Sequence, residues 1–230
     1  MDNYQIINKI KGGLIVSCQA LEDEPLYSSF IMSKMALAAE EGGAVGIRAN
    51  SVVDIAEIQK STALPIIGLI KKDYADSEVY ITPTEAEVDA LVLVGADIIA
   101  MDATNRPRPN GESLDTFFKK IKKKYPNKLF MADCSTYEEG IHASELGFDI
   151  VSTTLSGYTK ETKGRLLPDF DMLKKLVDSL DLPVIAEGGI WEPAQLKQAF
   201  DLGCHSAVVG SAITRPRDIT RHFIAAIKEN

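Results

Sequence analysis

The sequence predicts one (β/α)8 TIM barrel spanning residues 1–230, and three observations predict it. Eight short β-rich runs alternate strictly with segments of helical length and pattern, with no break in composition. Most runs are continuously apolar rather than alternating, as parallel strands buried on both faces are. A length of 230 residues is close to that of a single barrel of this kind. The competing arrangement is an open flavodoxin-like or Rossmann sheet. No Gly-x-Gly-x-x-Gly opens a helix, which weakens its dinucleotide-binding form.

In chain order, residues 4–9 form a short helix that caps the bottom of the barrel. The strands are expected at 14–18, 44–47, 65–70, 98–101, 128–132, 150–154, 183–186 and 207–209. The first long helix, 27–41, places Phe30, Ile31, Met35 and Ala38 on one face and stops at Gly42-Gly43. Helices over 52–61, 85–94, 113–124, 136–146, 169–180, 192–202 and 216–228 continue the alternation. Turns fall at Gly95-Ala96 and Gly147-Phe148, and at Leu64-Pro65 and Leu182-Pro183. The lysine run at 119–124 reads as the solvated outer face of its helix.

Composition narrows the function. A net charge of −8 and a pI near 5.0 argue against non-specific nucleic-acid binding, so any phosphate must be held by local groups. Cys18, Cys134 and Cys204 are odd in number and lack metal-type spacing, which predicts reduced thiols in a cytoplasmic protein, with Cys18 and Cys134 as small buried fillers of their apolar strand segments. The first residues lack the pattern of a signal peptide, and no apolar run reaches the ~20 residues of a membrane span. His142, His205 and His222 do not fall at strand ends, and no metal site is expected.

In this fold, catalytic groups stand where strands end at the C-terminal face. Those positions read Gln19, Arg48, Lys71, Asp102, Asp133, Ser156, Glu187 and Ser211. Ionisable groups crowded at a barrel mouth are costly unless paired, so a ring with a lysine, an arginine and three carboxylates points to chemistry. Lys71 and Lys72 compete for the inward position, since strand alternation turns one in and the other out. A lysine desolvated there can act as a base near neutral pH, or form a Schiff base. Gly188-Gly189 after the seventh strand and Gly210-Ser211 after the eighth fall at the usual phosphate loops, where glycine lets backbone N–H groups close on an anion. Arg215 lies within reach to add a charge-assisted contact. Trp191, next to that turn, either walls the phosphate loop or simply packs.

These segments resemble one family in order along nearly the whole chain. They are Ser17-Cys18-Gln19-Ala20, Gly46-Ile47-Arg48-Ala49-Asn50, Gly68-Leu69-Ile70-Lys71-Lys72-Asp73-Tyr74, Met101-Asp102-Ala103-Thr104, Met131-Ala132-Asp133-Cys134-Ser135-Thr136, Ala186-Glu187-Gly188-Gly189-Ile190 and Val209-Gly210-Ser211-Ala212-Ile213-Thr214-Arg215-Pro216. Together they are similar to the N-acetylmannosamine-6-phosphate 2-epimerases, with no departure at the expected functional positions. The resemblance implies a bacterial, cytoplasmic isomerase of sialic acid catabolism, a phosphorylated amino-sugar substrate, no added cofactor and a homodimer. It implies Lys71 as the residue that moves the C2 proton and Glu187 as its acidic partner. Gln19, Arg48 and Asp133 are implied substrate contacts, and Asp102 joins them as a strand-end candidate. A Schiff-base lyase or aldolase and a non-enzymatic phosphosugar-binding barrel are the competing functions.

Overall fold

A computed structural model describes residues 1–228; residues 229 and 230, part of the expected barrel span, lie outside the described residues. The strands are β1 (Leu14–Cys18), β2 (Gly46–Asn50), β3 (Ile66–Leu69), β4 (Ile98–Asp102), β5 (Leu129–Asp133), β6 (Ile150–Ser152), β7 (Val184–Glu187) and β8 (Ser206–Val209). Each pairs in parallel with the next, and β8 returns to β1, so the sheet closes. The helices are α1 (Asn3–Ile10), α2 (Ser29–Glu41), α3 (Val52–Ile58), α4 (Glu85–Val94), α5 (Leu114–Lys124), α6 (Tyr137–Leu146), α7 (Phe170–Ser179), α8 (Pro193–Asp201), α9 (Ser211–Thr214) and α10 (Pro216–Ala226).

Local chemistry sets the helix boundaries. The side chains of Ser28, Ser51, Ser113, Thr136 and Asp169 each accept from a backbone N–H of the first turn. Thr84 with Glu87 and Thr136 with Glu139 form reciprocal capping boxes. Gly95 and Gly147 end α4 and α6 with φ of 81° and 92°, a conformation that glycine adopts without a Cβ clash.

Strand parity divides the core into two shells. Ile15, Ile67, Leu69, Ile98, Ala100, Leu129, Met131, Ile150, Ile185 and Val208 point inward and fill the barrel. Ile6 and Ile10 of α1 join that cluster, so the N-terminal helix closes the barrel floor as expected. Alternate residues, among them Val16, Ile47, Ile66, Ile99, Phe130 and Val151, pack outward under the helices. The three cysteines are free and buried. The lysine run lies on the outside of α5, where Lys120 pairs with Glu112, Lys122 with Asp149 and Lys124 with Asp89.

Three differences from the expected elements matter for the site. β2 begins at Gly46 and runs to Asn50, because residues 47–50 stay in register with β3 after β1 pairing ends. Arg48 is therefore mid-strand and deep in the barrel rather than at its mouth. β4, β5 and β7 each extend one residue further, so Asp102, Asp133 and Glu187 are the last strand residues rather than the first loop residues. β6 ends at Ser152, which puts Thr154, not Ser156, at the inward position above it.

Candidate active site

Parity carries five side chains inward at the upper end of the barrel: Arg48 from β2, Lys71 two residues past β3, Asp133 from β5, Thr154 two past β6 and Glu187 from β7. Arg48 is 1% exposed and sits at the centre. Its Nη1 and Nη2 donate to Asp133 Oδ1 and Oδ2 at 3.1 and 2.6 Å, and Nη1 lies 3.1 Å from Glu187 Oε2. Burial works against the Arg48 charge, but Asp133 and Glu187 outweigh it and hold the guanidinium firmly protonated. Asp133 is fully buried beneath Arg48, and it stands outside the residues that line the open cavity.

The cavity above is lined by Gln19, Arg48, Lys71, Tyr80, Thr154 and Glu187 on one side. Gly188, Gly189, Trp191, Gly210, Ser211 and Arg215 line the other. Lys71 keeps the phase of Ile67 and Leu69 and points into it. Lys72 turns outward to Glu87 at 3.1 Å, with its side chain 52% exposed. The segment carrying Lys71 is pinned. Its N–H donates to Asn50 Oδ1 at 2.8 Å, and Lys71 bridges Ile81 in an antiparallel ladder. Thr82 closes that ladder, donating from Oγ1 to the Ala100 carbonyl at 2.6 Å. The buried Arg108 guanidinium donates to the carbonyls of Thr82 and Pro83 at 3.0 and 2.9 Å, and packs on the Phe117 ring.

Two pKa values in the cavity move toward neutrality. Burial lowers Lys71 first; Arg215 and Arg48 lower it further, and Glu187 and Glu24 pull it back, leaving it at about 8. Burial raises Glu187, Arg48 lowers it and Asp133 raises it again, leaving it at about 6. A lysine and a carboxylate sharing one cavity, both displaced toward pH 7, are suited to exchanging protons with a bound molecule.

The glycine turns take the expected geometry. Gly188 and Gly189 have φ of 106° and 71°. A Cβ on Gly189 would come within 2.4 Å of Leu167 Cβ, so only glycine fits. Among the described residues, the N–H groups of Gly189, Ser211 and Ala212 make no backbone hydrogen bond, and the Gly189 and Ser211 groups lie at the cavity wall. Arg215 Nη2 lies 3.3 Å from Glu24 Oε2, and the same carboxylate accepts from Arg217 Nη2 at 3.0 Å. Trp191 lines the cavity and stacks on His222, with ring centroids 4.9 Å apart. Gln19 is 6% exposed; its Nε2 donates to Ser17 Oγ at 2.9 Å, while its buried Oε1 has no partner among the described residues.

Two of the residues expected at strand ends fall outside this assembly. Asp102 is 1% exposed and does not line the cavity. Its carboxylate accepts from Arg106 Nη2 at 2.5 Å and from Thr104 Oγ1 at 2.7 Å, so it organises the β4 loop. Ser156 is also buried, donating to Asp169 Oδ2 at 2.6 Å at the start of α7. Sequence reading missed Thr154, Tyr80 and Tyr158 among the lining residues. Strand parity counted from Ile150 through Ser152 would have found Thr154; Tyr80 and Tyr158 lie on loops where no periodicity operates. Among the described residues no group of His, Cys, Asp or Glu is arranged to hold a metal ion.

The Arg48 centre makes a stability prediction. Arg48→Met should destabilise the barrel at pH 7 by roughly 3–5 kcal/mol, because it leaves two buried carboxylates facing each other. Arg48 holds the Glu187 pKa down, so without it that pKa would rise further above its ordinary value, the folded variant would bind a proton that the unfolded chain does not, and the deficit should shrink on acidification. Urea unfolding at pH 7 and pH 5 measures both effects; an unchanged deficit at pH 5 would contradict the argument.

Comparison with known proteins places the chain. Residues 32–229 match the family described as "Putative N-acetylmannosamine-6-phosphate epimerase". A Clostridioides difficile (strain 630) protein named "Putative N-acetylmannosamine-6-phosphate 2-epimerase" is 58% identical over 225 residues, covering 98% of this chain and 100% of its own. The solved structure of the N-acetylmannosamine-6-phosphate 2-epimerase from Clostridium perfringens superposes with a TM-score of 0.93 at 54% identity, over 98% of each chain. Thiamine phosphate pyrophosphorylase from Pyrococcus furiosus shares the fold alone, at TM-score 0.62 and 21% identity, covering 94% of this chain and 93% of its own. With both a family match over most of its length and relatives above half identity, this chain belongs to the N-acetylmannosamine-6-phosphate 2-epimerases, a family of isomerases.

Proposed function

We propose that this protein interconverts N-acetylmannosamine 6-phosphate and N-acetylglucosamine 6-phosphate, with Lys71 removing and returning the proton at C2. The observation that carries the proposal is the inward Lys71 facing the same cavity as Glu187, above the buried Arg48–Asp133 pair. The C2 proton of an amino sugar becomes acidic only when C1 is an aldehyde, so the ring must open first. Glu187 takes the proton of the C1 hydroxyl and passes it to the ring oxygen as the C1–ring oxygen bond breaks, so that C1 becomes a carbonyl. Neutral Lys71 then takes the C2 proton, and the electron pair moves onto the carbonyl oxygen, which Arg48 stabilises. The enolate turns about its C2–C3 bond to offer its opposite face, the Lys71 ammonium returns the proton there and so inverts C2, and ring closure completes the cycle. With a pKa of about 8, roughly a tenth of Lys71 is already neutral at pH 7.

Proton NMR of N-acetylmannosamine 6-phosphate in D₂O with the purified protein tests the reading. Deuterium should enter C2 of both sugars as the product appears. Tight binding without exchange would instead mark a binding barrel. The lowered pKa of Lys71 also suits imine formation, so borohydride reduction with substrate present belongs to the test. Covalent trapping of the sugar on Lys71 would replace the epimerase reading with a Schiff-base mechanism.

The substrate phosphate lies, on this reading, against Gly188, Gly189, Gly210 and Ser211, with Arg215 alongside. Unphosphorylated N-acetylmannosamine should then lose at least ~10³-fold in kcat/KM, the worth of about two charge-assisted hydrogen bonds. Comparable values for the two sugars would remove the phosphate from these loops.

The reading extends to a cytoplasmic role in sialic acid catabolism and to a homodimer. No described helix is long and apolar enough to cross a membrane. The C-terminal helix α10 buries none of its residues; Phe223 and Ile224 are exposed along it, and Ile227 just past its end. A second copy of the chain is the proposed cover. Sedimentation at micromolar concentration should give the mass of two chains.

A further inference from the structure

The hydroxyl of Thr154 stands between two carboxylates that it cannot serve at once. Its Oγ1 lies 2.8 Å from Asp133 Oδ1 and 3.0 Å from Glu187 Oε2. Arg48 Nη1 reaches the same two oxygens, at 3.1 Å each. Ser152, fully buried on the same inward face of β6, places its own hydroxyl 2.7 Å from Thr154 Oγ1. The protons can be counted. The Arg48 guanidinium donates to Asp133 and faces Glu187 as an ion pair, so its charge serves both carboxylates at once. A threonine hydroxyl has one hydrogen and two lone pairs, so it donates to only one of them.

Two arrangements follow. With Glu187 ionised, Thr154 donates to it through a charge-assisted bond and accepts from Ser152, and Asp133 is left to Arg48 alone on that side. With Glu187 protonated, its new O–H donates to Thr154, and the threonine hydrogen turns to Asp133. Every contact then has a proton, and Thr154 accepts two hydrogen bonds while donating one. The threonine methyl and the fixed β6 backbone keep Oγ1 in place while only the hydrogen moves.

We propose that Thr154 is the positioning residue for Glu187, its single hydroxyl proton turning toward Glu187 when that group is ionised and toward Asp133 when Glu187 carries a proton. The carboxylate can thus gain and lose a proton without moving from the sugar. This rests on the reading of Glu187 as the acidic partner of Lys71. The other groups that face Glu187 are Arg48 from β2, Asp133 from β5, Lys71 beyond β3 and Tyr158 beyond β6, and the hydroxyl acts within the field they set.

The role separates from mere packing in Thr154→Val, which keeps the shape and loses the hydroxyl, and Thr154→Ser, which keeps the hydroxyl. The ionised arrangement loses one charge-assisted bond, to Glu187, whereas the protonated arrangement loses one to Asp133 together with the bond from the Glu187 O–H, so loss of the hydroxyl should lower the Glu187 titration midpoint. The midpoint is read from the carboxyl carbon resonance of labelled glutamate, assigned by its absence in Glu187→Gln. Thr154→Val should titrate at lower pH than wild type and lose about tenfold in kcat at pH 7 with little change in KM. Thr154→Ser should match wild type in both, and its behaviour alone decides the case if the valine variant does not fold. An unmoved or raised midpoint in Thr154→Val, or a serine variant whose midpoint falls away from the wild-type value, would overturn the proposal. A lowered midpoint with unchanged kcat would uphold the positioning and instead sink the assignment of Glu187 to the mechanism.

Discussion

Lys71→Ala is expected to reduce epimerisation by at least ~10²-fold, the contribution of an essential proton-transfer group, while the barrel remains folded. Lys72→Ala, one residue away, should stay near wild type. The two lysines differ only in phase along the chain past β3. Lys71 faces the cavity, and Lys72 pairs with Glu87 on the outside. The pair is therefore an internal control on strand parity as well as on chemistry. The fold should tolerate the loss of Lys71, because its ammonium is held at a disadvantage by burial and by Arg215 and Arg48. Between about 8 and its ordinary 10.5, the unfolded chain binds this proton more readily than the folded one. Wild-type stability should therefore rise with pH across that window, and Lys71→Ala should lack this contribution. Near-normal turnover in Lys71→Ala would end the assignment. Lost activity with a collapsed fold is excluded by measuring the same protein's unfolding.

Much of this was legible in the sequence because burial writes itself into composition. Continuous apolar runs such as Ile98–Met101 identify strands covered on both faces, and eight of them separated by helical segments leave few topologies besides a closed barrel. The chemistry was legible where an apolar run stopped at a charge, as at Asp133 and Glu187. It failed where strand ends had to be known to a single residue. Arg48 read as a mouth residue because the apolar run 44–47 ends just before it, yet pairing with β3 carries β2 on to Asn50. An arginine mid-strand is hidden from apolar patterning, since only its partners Asp133 and Glu187, 85 and 139 residues further on, make its burial tolerable. Asp102 failed in the opposite sense. It ends its strand as Asp133 does, but Arg106, four residues later, turns back and occupies it. Thr154 was missed because a hydroxyl carries no charge signal, and its place between two carboxylates exists only once β5, β6 and β7 lie side by side.

Glu187→Gln is the second large effect and divides ring opening from C2 chemistry. The amide keeps the size of the carboxyl and can still contact Arg48 or Thr154, but it cannot exchange a proton. Most activity should be lost, on the order of 10²-fold. The cause can then be resolved with an open-chain analogue that already carries the C1 carbonyl. If Glu187 serves mainly to open the ring, the analogue should restore deuterium exchange at C2 in the variant. If it serves mainly to set the state of Lys71, the analogue should not help, and the pH dependence should move instead. The direction of that movement is fixed by the charges. Glu187 raises the Lys71 pKa, so removing its negative charge should carry the ascending limb of kcat/KM below the wild-type value of about 8. The two outcomes are separable because the first changes which substrate is accepted at one pH and the second changes the pH at which any substrate reacts. Wild-type turnover in Glu187→Gln would remove the residue from both roles. The proton at the C1 oxygen would then have to pass through another lining group, and Tyr80, whose hydroxyl burial pushes up to about 12, would be the next to substitute.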